Sequence, residues 1–344
     1  MHQAPSSSSR LRLPRRMPSI LFRSWLVFLL VLFGIAAVSV AACTASAKSG
    51  DPDLSGAFPD TDIPAVAINA YLSVDPEAVV GLPYRALGGE GDGEAVAGLQ
   101  WLEAVVNQPG EAYGVVLHFA DEREAEQAGA LLRGGEDSES VRTLDVAGAR
   151  TTLTVGSGEW SGQLRQAWAT DDRASLKERY PDIYEAMRLL PREAPATPVA
   201  VGFARNAAAM LEALLAQRDV SIPGFGNALG LVRVRSVAFA AYADHMDAVP
   251  VELTAEEVEV AGLGIIAVAR AGYPGFIINL LLGNFAGRLG LEDMDLGDTG
   301  VRYREVGGRF HLMVKNYGKT VFFTLAPTLS GSQWLMESII ANQS

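Results

Sequence analysis

The chain has 344 residues, 28 basic against 40 acidic side chains for a formal net charge of −12, and 49% hydrophobic residues. Such an acidic surface repels phosphate backbones and anionic head groups, which excludes nucleic-acid binding through a basic face. The single cysteine, Cys43, excludes a disulfide framework and a thiolate zinc site, so the fold must rest on its apolar core.

At the amino terminus Arg10, Arg12, Arg15, Arg16 and Arg23 precede an apolar run from Trp25 to Ala42, and Ala36, Ala37, Ser39, Ala41 and Ala42 crowd its end. This is the layout of an export signal: a positive region, a hydrophobic region and small residues at a cleavage site. The stretch Val40-Ala41-Ala42-Cys43 resembles the lipobox of bacterial lipoprotein signal peptides, a branched aliphatic residue and two small residues before an invariant cysteine. The resemblance covers only about the first 43 residues. It implies cleavage between Ala42 and Cys43, a thioether-linked diacylglycerol on Cys43, and a mature chain held by its lipid anchor at the exported side of the cell membrane. An uncleaved signal anchor is an alternative, because about 20 apolar residues span a bilayer; an ordinary secretory signal is another. Arg15-Arg16 lacks the following hydrophobic residues of a twin-arginine signal, and Met17 offers a second translation start. Loss of residues 1–42 removes five arginines and no acid, leaving 23 basic against 40 acidic side chains, a balance of −17. Acyl chains rather than a basic patch must then hold the mature domain at a membrane.

Residues 43–62 are rich in Ser, Ala, Gly, Asp and Pro without an apolar period, the composition of a flexible tether. A second break, Pro191 to Pro198, divides the remainder into a first lobe, 63–192, and a second, 193–344. Each lobe opens on Pro, a β-type run and a helix: Pro64 to Leu72 with Asp75 as N-cap, and Pro198 to Ala204 with Asn206 as N-cap. In the first lobe Tyr113–Ala120 reads as a strand and Asp121–Arg133 as a helix with a D-x-x-E capping signal. A hairpin over 141–155 and a helix with Trp160, Leu164 and Trp168 on one face follow. In the second, Gly264–Ala271 reads as a strand and Pro274–Leu291 as a helix with Pro near its first turn. A hairpin over 301–314, a strand over 319–326 and a closing helix from Ser332 complete it.

The two hairpins align without a gap from Val141/Val301 and Arg142/Arg302 through Asp145/Glu305 and Val146/Val306 to Gly148/Gly308. One deletion then brings Arg150 onto Arg309 and Leu153 onto Leu312. The expected class is α+β: two pseudo-repeated lobes, each an antiparallel sheet with helices packed on one face.

The motifs of hydrolysis, metalloprotease chemistry, nucleotide binding and dithiol redox chemistry are absent from the sequence. Gly224, Gly226 and Gly230 have a glycine rhythm one residue too long for a dinucleotide fingerprint and read as a loop. Asp244 and His245 are adjacent and would point apart on a strand, while His118 and His311 read as sheet-face residues held by hydrogen bonds. The serines of 156–162 read as turn and cap residues, and Trp160 and Trp168 as core.

Two acidic loops precede the hairpins: Glu136, Asp137 and Glu139 in one, Glu292, Asp293, Asp295 and Asp298 in the other. Asp293, Asp295 and Asp298 are weak calcium candidates, since alternate loop carboxylates can supply oxygens, but no distal Glu completes an EF-hand; no metal and no cofactor is expected. The helix from Pro274 to Leu291 is apolar nearly all round. Such a helix is buried or meets an apolar partner, which makes Phe276, Leu281 and Phe285 candidates for lining a ligand groove. The sequence therefore points to a lipid-anchored cell-envelope protein acting as a non-enzymatic binding or scaffolding module. Its expected partners are the membrane, through the anchor, and an envelope protein, small molecule or lipid, with no nucleic acid. Three alternatives are a solute-binding lipoprotein of an importer, a lipid carrier or chaperone that uses the apolar helix, and an envelope hydrolase, for which the sequence shows no recognisable nucleophile and base.

Overall fold

The computed structural model describes residues 62–74, 98–108, 112–133, 142–156, 158–191, 198–205, 234–242, 264–306 and 310–342. Val40, Ala41, Ala42 and Cys43, the tether, the acidic loop around Asp137, the glycine rhythm at 224–230 and the Asp244-His245 pair lie outside the described residues.

In the first half the elements are β1 (Asp62–Pro64), β2 (Ala70–Val74), β3 (Leu99–Gln108), β4 (Ala112–Phe119) and α1 (Glu122–Arg133). The hairpin β5 (Arg142–Ala147) and β6 (Arg150–Val155) follows, then α2 (Gly158–Thr170), β7 (Arg173–Ser175), α3 (Leu176–Arg179) and α4 (Pro181–Met187). The second half contains β8 (Pro198–Arg205), β9 (Val234–Tyr242), β10 (Gly264–Ala271), α5 (Gly275–Leu289), β11 (Glu292–Leu296) and β12 (Thr299–Val306). It ends with β13 (Phe310–Tyr317), β14 (Thr320–Ala326) and α6 (Leu329–Ala341).

The class is α+β, dominated by an antiparallel sheet. The two halves do not carry separate sheets, however. A 12-stranded sheet runs β11-β12-β13-β14-β10-β9-β8-β2-β3-β4-β6-β5, and β1 pairs with β7 in a small second sheet. The join is the antiparallel pair β2–β8, with Leu72 opposite Gly202 and Tyr71 opposite Phe203. All five residues of β2 are buried, so neither strand could remain an open edge without leaving apolar side chains and ladder groups unpaired.

Local chemistry explains the elements around this sheet. Asp121 caps α1, its Oδ1 accepting from the Glu124 amide at 3.0 Å. Trp160, Ser161, Leu164, Ala167 and Trp168 form one buried face of α2, and Thr328 caps α6 by accepting from the Gly331 amide at 3.1 Å. Gly148 and Gly318 turn the hairpins β5–β6 and β13–β14 at φ of 57° and 56°, a conformation that favours glycine.

Helices cover both faces of the sheet rather than one, because strand alternation sends apolar residues to both sides. On one face Tyr71, Val105, Val116, Phe203, Ile266, Val268 and Phe322 pack with Trp168 of α2, Ile183 of α4 and Leu335, Met336 and Ile339 of α6. On the other, Leu72, Leu102, Val106 and Leu117 pack with Ala125 and Ala128 of α1. Further along that second face Ala269, Val314 and Val321 pack with Ile278 and Ala286 of α5.

The matched hairpins of the sequence occupy different places. β6 lies directly beside β4, whereas β13 is separated from β10 by β14. Gly308 and Arg309 lie outside the described residues. The residues from Glu292 to Leu296, expected as a loop, form β11 because Met294 and Leu296 alternate toward the first core while Asp293 and Asp295 face out.

Candidate functional site

A buried ionic cluster sits where the small sheet meets the large one. Glu103 lies in the middle of β3, in phase with Val105, so its side chain is directed into the face covered by α2, α4 and α6 and is 3% exposed. Arg173, on β7, reaches it with both terminal nitrogens, Nη1 to Oε1 at 2.6 Å and Nη2 to Oε2 at 2.9 Å. The Tyr71 hydroxyl of β2 donates to Oε1 at 2.7 Å, and His118 Nε2 of β4 lies 2.8 Å from Oε2. Trp101 stacks on the His118 ring with centroids 4.3 Å apart. Asp171, at φ 56° where α2 ends, lies 3.4 Å from Arg173 Nε and 3.6 Å from Arg150 Nη2.

Each Glu103 oxygen therefore has two partners, which satisfies a buried carboxylate. Burial alone would push its carboxyl up. The hydrogen bonds of Arg173 and His118, with the charge of Arg173, outweigh burial and hold it far below the usual carboxylate range. Burial likewise opposes the Arg173 charge, but Glu103 raises that guanidinium above its ordinary value. Burial, then the Glu103 charge, pushes the Tyr71 hydroxyl well up. A carboxylate this stabilised is a poor proton acceptor, since a general base works best with a pKa near the operating pH. The cluster fastens the β1–β7 ribbon to the sheet instead. Sequence reading passed over Glu103, Tyr71 and Arg173. The signal was present in LQWLEAVVNQ, where an acid occupies a core-facing phase between Trp101 and Val105 and so requires a buried cation.

The second feature is the outer face of α5. Ile278 and Ala286 are buried and Leu281 and Leu282 half-buried, so the helix rests on the sheet by one stripe. Phe276 and Leu280, one turn apart, are 73% and 65% exposed, and Gly283 and Gly287 continue the outer face. Tyr317, in the β13–β14 hairpin, is 69% exposed. This hairpin abuts the start of α5, where a Cβ on Gly275 would lie 2.7 Å from the Gly318 carbonyl oxygen. Nothing in α5 is acidic: Arg288 is its one charged residue. Of the groove candidates, Phe276 is on the outer face and Leu281 on the packing side, so the helix does not bring these two together; the Phe285 side chain lies outside the described residues.

The remaining candidates lie outside the Glu103 cluster, and of them Asp293 reaches the α5 feature through Arg302 beside Gly283. Asp293 and Asp295 share the outward side of β11, with Asp293 Oδ1 4.0 Å from Arg302 Nε, and Asp298 lies in the β11–β12 turn. Among the described residues no group of three or more His, Cys, Asp or Glu is placed to hold a metal ion, and no helix is long and apolar enough to cross a membrane. His311 Nδ1 is 2.8 Å from the Tyr303 hydroxyl, and Trp160 and Trp168 are buried in the core.

No protein-family model matches the sequence, and no curated protein shows significant similarity. Among solved structures the fold is similar to crystal form I of TP0453, at 10% identity and a TM-score of 0.40, over 80% of this chain and 99% of that one. Crystal form III aligns at 8% identity and a TM-score of 0.37, over 78% of this chain and 95% of that one. Crystal form IV gives 9% and 0.38, over 79% and 93%. Likenesses of this size assign neither family nor function.

Proposed function

We propose that the chain is a lipid-anchored protein of the bacterial cell envelope whose mature part is a non-enzymatic binding module, with the outer face of α5 as its binding surface. The observation that carries this reading is the exposure of Phe276 and Leu280 on a helix without acidic residues. Large apolar side chains grouped on a surface mark interaction sites. Fully burying two such residues contributes about 3–6 kcal/mol, too little for tight binding by itself and enough to orient a protein already tethered nearby. The tether in this reading starts at Cys43, supported by the resemblance of Val40-Ala41-Ala42-Cys43 to a lipobox. The test is detergent-phase partitioning of the full chain expressed in a bacterium. The native chain enters the detergent phase with a diacylglycerol mass on Cys43, and Cys43→Ser loses that modification and stays with unprocessed precursor. An unmodified Cys43 in the mature protein contradicts the anchor.

The two halves, 63–192 and 193–344, are in this reading duplicated modules joined through their first strands. Strand order supports it: β2-β3-β4-α1-β5-β6-α2 corresponds to β8-β9-β10-α5-β13-β14-α6, with β11–β12 as an added hairpin. The helix after the third strand lies on one sheet face in both halves, and the closing helix lies on the other. Thr324 of β14 is 2.9 Å from the Ser332 hydroxyl in the first turn of α6; Thr154 of β6 and Ser161 in the first turn of α2 are likewise buried, but their hydroxyls make no hydrogen bond among the described residues.

A further inference from the structure

We infer that the outer face of α5, with Phe276 and Leu280 at its centre and Tyr317 beside its start, docks on the acyl surface of the bilayer that carries the anchor. The inference rests on the proposed function and specifies what the α5 surface binds. Three observations favour a lipid surface over a protein. First, among the described residues the two exposed apolar side chains and one tyrosine fall well short of the roughly 1,000 Å² that a stable protein interface buries, whereas a surface that the chain is already tethered to requires no minimum area. Second, the stretch from Cys43 to Asp62 reaches at most about 65 Å when fully extended, so an acyl anchor on Cys43 keeps the domain within that distance of the bilayer. Third, charge is arranged for it. In a chain with a net charge of −12, α5 carries no acid. Arg302 lies beside Gly283 while pairing with Asp293 at 4.0 Å, Arg304 lies beside Gly290 just past the helix end, and exposed Lys319 shares the turn with Tyr317. Apolar prongs bordered by Tyr and basic side chains match the layering of an interface, with acyl chains below and head groups above.

Phe276 and Leu280 therefore enter the head-group boundary while Ile278 and Ala286 keep the helix on the sheet, so docking needs no rearrangement of the core. The test uses the full chain with Cys43→Ser, so that an introduced thiol is unique. The chain is held by its own amino-terminal apolar segment in vesicles of phosphatidylcholine and phosphatidylglycerol. An environment-sensitive fluorophore is placed at Leu280→Cys, at Phe276→Cys, and at Ser330→Cys as an exposed position on the opposite side of the sheet. The expected result is blue-shifted emission and several-fold stronger quenching by shallow nitroxide lipids at 276 and 280 than at 330. Equal exposure at all three positions in vesicle-bound protein overturns the inference, and leaves the lipid on Cys43 to its own mass measurement. Efficient disulfide crosslinking between two Leu280→Cys chains in vesicles, without quenching by nitroxide lipids, also overturns it, because it marks a second copy of the chain as the occupant.

Discussion

Replacing Arg173 with Met removes the guanidinium that pairs with the buried Glu103 carboxylate while keeping most of the packing volume. Arg173 supplies both short guanidinium contacts, at 2.6 and 2.9 Å, and its side chain is 19% exposed against 3% for Glu103. Tyr71 and His118 remain as partners, yet the charge is then uncompensated. Breaking a buried pair from one side costs about 3–5 kcal/mol, or a fall in melting temperature on the order of 10 °C for a chain of this size. The pH dependence carries a sign. The folded-state pKa of Glu103 lies below its ordinary value near 4.5, so its contribution is fully present above that pH and drains away as pH falls below it. The Arg173→Met chain has little of that contribution to lose. Its deficit against the native chain should be largest near pH 7 and should narrow by about pH 3.5. Urea unfolding of both chains at the two pH values measures this. A variant as stable as the native chain at neutral pH, or a deficit that widens on acidification, refutes the assignment of Glu103 and Arg173 as the fastening of the β1–β7 ribbon.

Gly202→Val should separate the two halves of the sheet. A Cβ there would lie 2.5 Å from the Tyr71 carbonyl oxygen and 2.5 Å from the Phe239 ring, and the carbonyl belongs to a paired strand that cannot shift independently. The expected loss is several kcal/mol, read as a lowered urea midpoint with hydrogen exchange rising first in β2 and β8. The neighbours Leu280 and Leu281 should behave oppositely. Leu281→Asp puts a charge in the seam under α5 and should cost about 2–4 kcal/mol, while Leu280→Asp should stay within about 0.5 kcal/mol of the native chain in thermal melting and lose vesicle contact.

Much of the second half was legible because its strands and helices are long and periodic. Gly264–Ala271, the apolar helix after Pro274 and the closing helix all form near their expected bounds. β3 and β9 escaped notice, since both are buried on two faces and so lack the alternation that marks a half-exposed strand. The small elements β7, α3 and α4 owe their form to tertiary contacts. Ser175 caps α3 by accepting from the Glu178 amide, and Ile183 and Met187 of α4 fill the first core, neither of which a short local window reveals. The hairpin alignment was misleading because amphipathic hairpins share Val and Gly positions whatever their place in a sheet. Strand adjacency is a nonlocal property, and it puts β6 beside β4 but β14 rather than β13 beside β10. Of the candidate site, the apolarity of α5 was visible and its orientation was not. Hydrophobicity all round a helix does not say which residues the sheet leaves outside, and only packing separates Leu280 from Leu281.

The most direct test of α5 as the working face is photo-crosslinking in the intact envelope, with a benzophenone side chain replacing Leu280 in the full, anchored chain and Ser330 as the reference. The account predicts adducts at 280, lipid in the first place, at several times the yield at 330. Equal yields at the two positions in correctly folded, membrane-associated protein would contradict it.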